Sequence, residues 1–374
     1  MTHRNGWTQS LAVLAVVFCF HGVASASSWT VVGTPATGRW GHQSFLLSDG
    51  KVMSTGGRIP ISLGYMMGTE TVELFNPATN QWSPAPNMLS KRALHAQAPL
   101  PNGDFLMNGG SYSNIIAERY SLATGTSVVP GNSPDAREGA TLTPLPDGKV
   151  LLVGGVHSGC CSANNPRAWI YDPAATTSPW VLTTSLIKAR ISHTATRLPN
   201  GDVLIVGGRT ISTGPELTLD FTERYSSGGF SDAGPLTFRR SDHTATRLSD
   251  GRVLVLGGYI EFGGAFASTP EIYDGVGTWT QATPPPQFPN RLGHTTTLLQ
   301  DGRVLLVGGV TAWSMSWDGT TAVEIYNPTT NTWSAGPSLT YGRNGHTATL
   351  LSDGRVLIDG GNFDAVLPSE IFTP

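Results

Sequence analysis

The chain is short of charge. Asp, Glu, Lys and Arg together make up 13% of its 374 residues, about half the ~25% of an average protein. Lysine is nearly missing, at four residues against nineteen arginines, and the net charge is −3. No basic tail or block exists to gather phosphates, which argues against a nucleic-acid partner. Long apolar runs are scarce too. Leu11 to Phe20 is unbroken, but a bilayer span needs about 20 residues. It follows His3 and Arg4 and precedes Ala24-Ser25-Ala26, the order of an export signal with its small-x-small cleavage site. Phe18 is too bulky for the position before a lipoprotein cysteine at Cys19. Residues 1–26 are therefore expected to be a cleaved signal peptide. Residues 27–374 are expected to form one secreted or periplasmic domain, soluble, monomeric and without membrane insertion.

Glycine, by contrast, is abundant at 45 of 374 residues, against about 7% on average, and its placement is periodic. Pairs fall at 56–57, 109–110, 154–155, 207–208, 257–258, 308–309 and 360–361. A period near 50 residues is the length of a four-stranded propeller blade. Each unit reads as strand A ("HTATLL"), an Asp-Gly or Asn-Gly turn, strand B ("RVLLV") closed by the glycine pair, a variable loop, strand C ("EIYNP"), and strand D. The turns, such as Asp353-Gly354, suggest two-residue type I′ hairpins. Trp82, Trp180, Trp279 and Trp333 mark strand D, with Phe230 and Val128 in their place in two units. The last unit stops at strand C, but Trp29 precedes Arg39 by the same ten residues that separate Trp82 from Arg92. The first strand of the mature chain should therefore complete the final blade and remove an exposed edge. The fold class is all-β: a seven-bladed propeller of four antiparallel strands per blade.

These signposts (Arg-x-x-His, Gly-Gly, Glu-x-Tyr, Trp) resemble the kelch repeat. "HTATLLSDGRVLIDGG" is most similar to bacterial kelch proteins and to the propeller of the galactose oxidase superfamily. Such a resemblance implies fold more than function, because one scaffold hosts many activities.

Six histidines share one repeat position: His42, His95, His193, His243, His294 and His346. Six glutamates share another: Glu73, Glu118, Glu223, Glu271, Glu324 and Glu370. An arginine stands in all seven units: Arg39, Arg92, Arg137, Arg190, Arg240, Arg291 and Arg343. A catalytic group is needed once, whereas a packing device is needed in every blade, so histidine and glutamate are expected to be structural. The third unit has Ala140 for the histidine and Trp169 for the glutamate, which suggests that the two are buried partners. The arginines are expected to make salt bridges and carbonyl contacts between blades, or else to point into the central depression and bind a polyhydroxyl or anionic ligand.

The resemblance to galactose oxidase implies one copper held by tyrosine, histidine and a tyrosine cross-linked to cysteine. The family's ligand tyrosines lie just before a repeat histidine and two residues after a repeat arginine. Those positions here are Gly41, Leu94, Gly139, Ser192, Asp242, Gly293 and Gly345, and none is tyrosine. No cofactor is expected. His157, Cys160 and Cys161 are weak metal candidates, too few for a structural zinc site. Adjacent Cys160 and Cys161 could instead form a vicinal disulfide, strained because neighbouring Cα atoms lie only ~3.8 Å apart. The B–C loops are rich in aromatics, among them Tyr65, Tyr259, Trp313 and Trp317, which are candidate ligand contacts. The sequence thus reads as a non-catalytic binding module for a glycan or protein partner. The alternative is a carbohydrate-active enzyme of galactose-oxidase-like ancestry, an oxidase or a sugar mutarotase.

Overall fold

The computed structural model describes residues 26–62, 65–112, 117–129, 137–157, 166–210, 217–261, 265–311, 319–362 and 365–374. Seven four-stranded antiparallel sheets stand in a ring, each ordered A-B-C-D from the inside outwards. In blade 1 the strands are Gln43–Leu46, Val52–Thr55, Val72–Asn76 and Gln81–Ala85. In blade 7 they are Thr347–Leu350, Val356–Asp359 and Glu370–Thr373, with Ser28–Val31 as the fourth. Trp29 stands opposite Phe372 there. The ring is closed by its own N-terminal strand, as the tryptophan spacing foretells.

Strand B is buried on both faces in every blade, for instance Val304–Val307 at 0% exposure. This explains its largely apolar sequence, since residues of alternate sides meet different neighbours. Seven apolar clusters result, each straddling one seam between adjacent blades. At the outer edge the strand D aromatic leans on a strand C ring of its own blade: Trp82 on Phe75 at 5.3 Å, Trp180 on Tyr171 at 5.0 Å, Trp333 on Tyr326 at 4.9 Å and Trp29 on Phe372 at 5.1 Å.

One expectation about the turns is corrected. A type I′ turn needs positive φ at both central residues, yet in Asp49-Gly50 only Gly50 is left-handed, at φ 83°. Gly50 N donates to Leu47 O at 3.0 Å, and Leu47 N to Lys51 O at 2.8 Å. The connection is a three-residue loop, a type I turn followed by a left-handed glycine. The aspartate is there to accept from Lys51 N at 3.1 Å, not to adopt positive φ.

Among the described residues, three two-stranded ribbons extend from the B–C side of blades 1, 4 and 5: Arg58–Ser62 with Tyr65–Gly68, Arg209–Thr210 with Leu217–Thr218, and Tyr259–Glu261 with Ala265–Phe266. In blade 3 strands A and B are themselves long, Arg137–Pro144 and Val150–His157. These extensions stand around one mouth of the ring.

Candidate functional site

The repeated polar residues form a scaffold network. All seven repeat arginines are no more than 1% exposed. Each donates from Nη1 to the carbonyl of the first glycine of its own pair: Arg39 to Gly56 at 2.7 Å, Arg137 to Gly154 at 3.0 Å, Arg343 to Gly360 at 2.8 Å. Its own carbonyl accepts from the second glycine of the preceding blade, as Arg92 O does from Gly57 N at 2.8 Å and Arg39 O from Gly361 N at 2.8 Å. Six arginines also pair with the strand C glutamate of their blade: Glu73 at 2.7 Å, Glu118 at 2.6 Å, Glu223 at 2.5 Å, Glu271 at 2.9 Å and Glu370 at 3.2 Å, together with Arg291–Glu324. The carboxylates accept further backbone N–H groups from the crossover that carries the arginine, as Glu223 does from Ile187 at 2.7 Å and Lys188 at 3.1 Å.

Two expectations are therefore corrected. Glutamate partners arginine, not histidine. The arginines, Arg39, Arg92, Arg137, Arg190, Arg240, Arg291 and Arg343, cannot contact a ligand as proposed, because their side chains are sealed inside the blades. Their side-chain bonds to glycine and glutamate run within a blade, whereas their backbone crosses the seam, through the carbonyls and through amides such as Arg92 N to Thr69 O and Arg240 N to Leu219 O, each at 3.1 Å.

The histidines join strands A across the seams. Nε2 lies within hydrogen-bonding distance of a threonine in the preceding blade: His193 with Thr141 at 3.0 Å, His243 with Thr194 at 2.9 Å, His294 with Thr244 at 3.0 Å, His346 with Thr295 at 2.8 Å and His42 with Thr347 at 3.0 Å. His95 meets Thr55 and Gln97, each at 3.3 Å. In blade 3 Ala140 replaces the histidine, and the matching position of blade 2 is Ala96, so both halves of that bond are missing together. The loss of glutamate at Trp169 is a separate event.

Burial, reinforced by the adjacent arginine, pushes His95, His193 and His294 down to about 3, and His243 and His346 well below the ordinary value. These rings are neutral near pH 7 and cannot act as proton donors. An unfolded-chain imidazole takes up its proton near pH 6.5, whereas the buried ring does not until about 3. The unfolded state thus binds more protons in that window. Each such histidine contributes stability that is present above about pH 6.5 and is lost as pH falls.

The unrepeated side chains gather elsewhere. The residue two after each arginine is left-handed in all seven blades, with φ from 53° at Leu94 and Ser192 to 68° at Gly139. This turns its amide along the ring: Leu94 N donates to Gly41 O at 2.9 Å, Asp242 N to Ser192 O at 3.0 Å, Gly345 N to Gly293 O at 2.7 Å and Gly41 N to Gly345 O at 3.2 Å. A backbone girdle results, and it floors a cavity of about 990 Å³. Its glycines let neighbours lie over them, since a Cβ on Gly345 would collide with the Trp40 indole and one on Gly41 would come 2.9 Å from Leu94 Cδ2. Leu94, Ser192 and Asp242 hold the same backbone with side chains attached, at roughly 1–3 kcal/mol of strain each.

Around this floor stand the residue after each arginine and the residue after each glycine pair, bridged as Trp40–Arg58, Ile191–Arg209 and Ser241–Tyr259. Arg58 lies 5.2 Å over the Trp40 ring. Its Nη2 reaches past Ser111 of blade 2, at 3.4 Å, to Glu138 of blade 3, at 3.6 Å. Arg209, Tyr259 and Asp242 line the wall on blades 4 and 5. Burial and the Asp242 charge raise the Tyr259 phenol, so it keeps its proton.

Of the predicted aromatics, Tyr259 is at this mouth, stacked 5.3 Å from Phe266. Tyr65 opens the return strand of the blade 1 ribbon. Trp313, Trp317, Cys160 and Cys161 lie outside the described residues, and His157 ends strand B of blade 3. Sequence reasoning missed Trp40, Arg58, Glu138 and Arg209. They were legible as the columns flanking the arginine and the glycine pair that differ from unit to unit.

The architecture defines a kelch-type β-propeller. The Kelch motif model matches residues 44–89 and 291–340. Kelch-like protein terF of Aspergillus terreus is 33% identical over 88 residues, 23% of this chain and 18% of that protein. Kelch domain-containing protein 1 of Homo sapiens is 28% identical over 155 residues, 38% of this chain and 36% of its own length. The chain thus spans well under half of either curated relative. Among solved structures, a fungal alcohol oxidase of the AA5 family in complex with copper superposes with a TM-score of 0.73 over 93% of this chain and 76% of its own, at 16% identity. That likeness is one of fold. The residues here do not fit a copper of that kind: the seven girdle positions carry no tyrosine, and the nearby histidines face threonines. Among the described residues, no group of three or more His, Cys, Asp or Glu is placed to hold a metal.

Proposed function

We propose that this is an exported binding propeller that takes a glycan or protein partner at the mouth bounded by the girdle. One observation carries the reading: the repeated polar residues are bonded into the scaffold, while Trp40, Arg58, Glu138, Arg209, Asp242 and Tyr259, from positions whose residue type varies around the ring, converge on one cavity of about 990 Å³. A concave site with a few convergent polar groups is the usual form of a ligand pocket. The strained left-handed Asp242, φ 54°, supports the same reading, because such strain tends to be retained at functional positions. Variable loops on a rigid frame suit recognition.

In the test, an interaction screen with the mature protein finds a partner, and Arg209→Ala with Tyr259→Phe weakens it about tenfold or more while Tm stays within a degree or two, as expected of surface changes. Binding unchanged in that double variant would place the partner elsewhere. Copper uptake with peroxide release from primary alcohols would support an oxidase instead.

A further inference from the structure

We infer that the ligand held at the mouth is a neutral oligosaccharide. The inference rests on the reading of the mouth as a binding site and turns on the charges that line it. Arg58 and Arg209 supply two positive charges, and Glu138 and Asp242 two negative ones. The lining histidines add none, since burial keeps His95, His193, His243 and His294 neutral.

A polyanionic ligand gains from a site of one sign, where like charges add to a common field. A balanced site offers it no such attraction and sets two carboxylates against it. Sugar hydroxyls differ from anions in that each both donates and accepts. Such a ligand can use all four groups: the carboxylates of Glu138 and Asp242 accept, and the guanidinium forks of Arg58 and Arg209 donate in a planar, two-pronged geometry. The protonated Tyr259 phenol serves in either sense.

Arg58 is set in advance for this role. It lies on the Trp40 indole at 5.2 Å and points toward Glu138 at 3.6 Å. Donor and acceptor are thus held side by side, the spacing that two adjacent ring hydroxyls require. Arg209, Asp242 and Tyr259 place a second donor, a second acceptor and a hydroxyl along the wall on blades 4 and 5, nearly opposite blade 1 in a seven-membered ring. Two such groups across a cavity of about 990 Å³, at the upper end of the ~300–1,000 Å³ typical of small-ligand pockets, fit several linked sugar rings better than one.

The experiment is calorimetric titration of the mature protein with neutral gluco-, xylo-, manno- and galacto-oligosaccharides of three to five units. Oligogalacturonate and a Glu/Asp-rich peptide serve as comparison ligands, and each titration is run at low and high salt. The expected result is binding of at least one neutral oligosaccharide, little changed by salt. Glu138→Gln and Asp242→Asn each weaken it about tenfold, since each removes a charged acceptor, with Tm unchanged. Silence across the neutral panel overturns the inference. So does salt-sensitive binding of the uronate or the peptide that Glu138→Gln strengthens, although that result leaves the mouth standing as the binding site. A neutral sugar that binds equally to both variants and to Arg209→Ala overturns the mouth itself.

Discussion

Glu223→Ala is expected to lower the free energy of unfolding by about 3–5 kcal/mol, the loss seen when one partner of a buried ion pair is removed. Glu223 is fully buried and sits 2.5 Å from Arg190. Without it the guanidinium keeps its carbonyl partners, Gly207 at 2.7 Å and Phe221 at 3.0 Å, but not a counter-charge. Ile187 N and Lys188 N also lose their acceptor. The effect should be confined to stability, because neither group reaches the mouth. Glu138→Ala makes the contrast. Its pair with Arg58 is 25% and 35% exposed, and exposed pairs contribute about 0–1 kcal/mol. Chemical denaturation of the two variants separates scaffold from site, and equal losses would contradict the division.

Gly154→Ala should be comparably damaging, by about 2–5 kcal/mol from backbone strain and overpacking combined. Gly154 has φ 66°, and an added Cβ would come 2.5 Å from His193 Cε1 and 2.6 Å from Arg190 O in the next blade. Those atoms belong to the seam where Gly155 N donates to Arg190 O at 2.9 Å, so the seam must open to admit the methyl group. Gly103→Ala isolates the backbone part. Its φ is 88° and nothing lies within 4 Å of the added carbon, so only the left-handed penalty of about 1–2 kcal/mol applies. Thermal melts of both variants, compared with the parent, measure the difference. A Gly154 variant no worse than the Gly103 variant would mean that blades do not meet as closely as described.

The architecture was readable because each of its signals is local and repeated. The glycine pairs, the strand D aromatics and the ten-residue step from Trp29 to Arg39 each describe one blade, and the ring follows by counting. What escaped was whatever depends on the neighbour across a seam. His193 finds its partner 52 residues away, in Thr141, and no spacing within one unit reveals this. The paired absence of histidine and glutamate in blade 3 pointed to the wrong partner, because two independent losses happened to share a unit. Burial of the arginines was equally hidden. An arginine in a sequence suggests a surface, and only the convergence of a glycine carbonyl in all seven blades, with a glutamate in six of them, shows why these arginines are interior. The mouth was hidden for the opposite reason: Trp40, Arg58, Glu138 and Arg209 sit in columns where no two neighbouring blades agree, and a search for repeats passes over them.

The division between scaffold imidazoles and an unrepeated mouth is tested most directly by following the histidine Cε1–H signals of the folded protein by NMR from pH 8 to pH 5. The signals of His95, His193, His243, His294 and His346 should stay flat throughout, since burial beside an arginine holds His95, His193 and His294 neutral down to about pH 3 and keeps His243 and His346 well below the ordinary imidazole range. Titration of these rings with midpoints near the unperturbed ~6.5 would mean that they meet solvent and are free for chemistry, contrary to the account given.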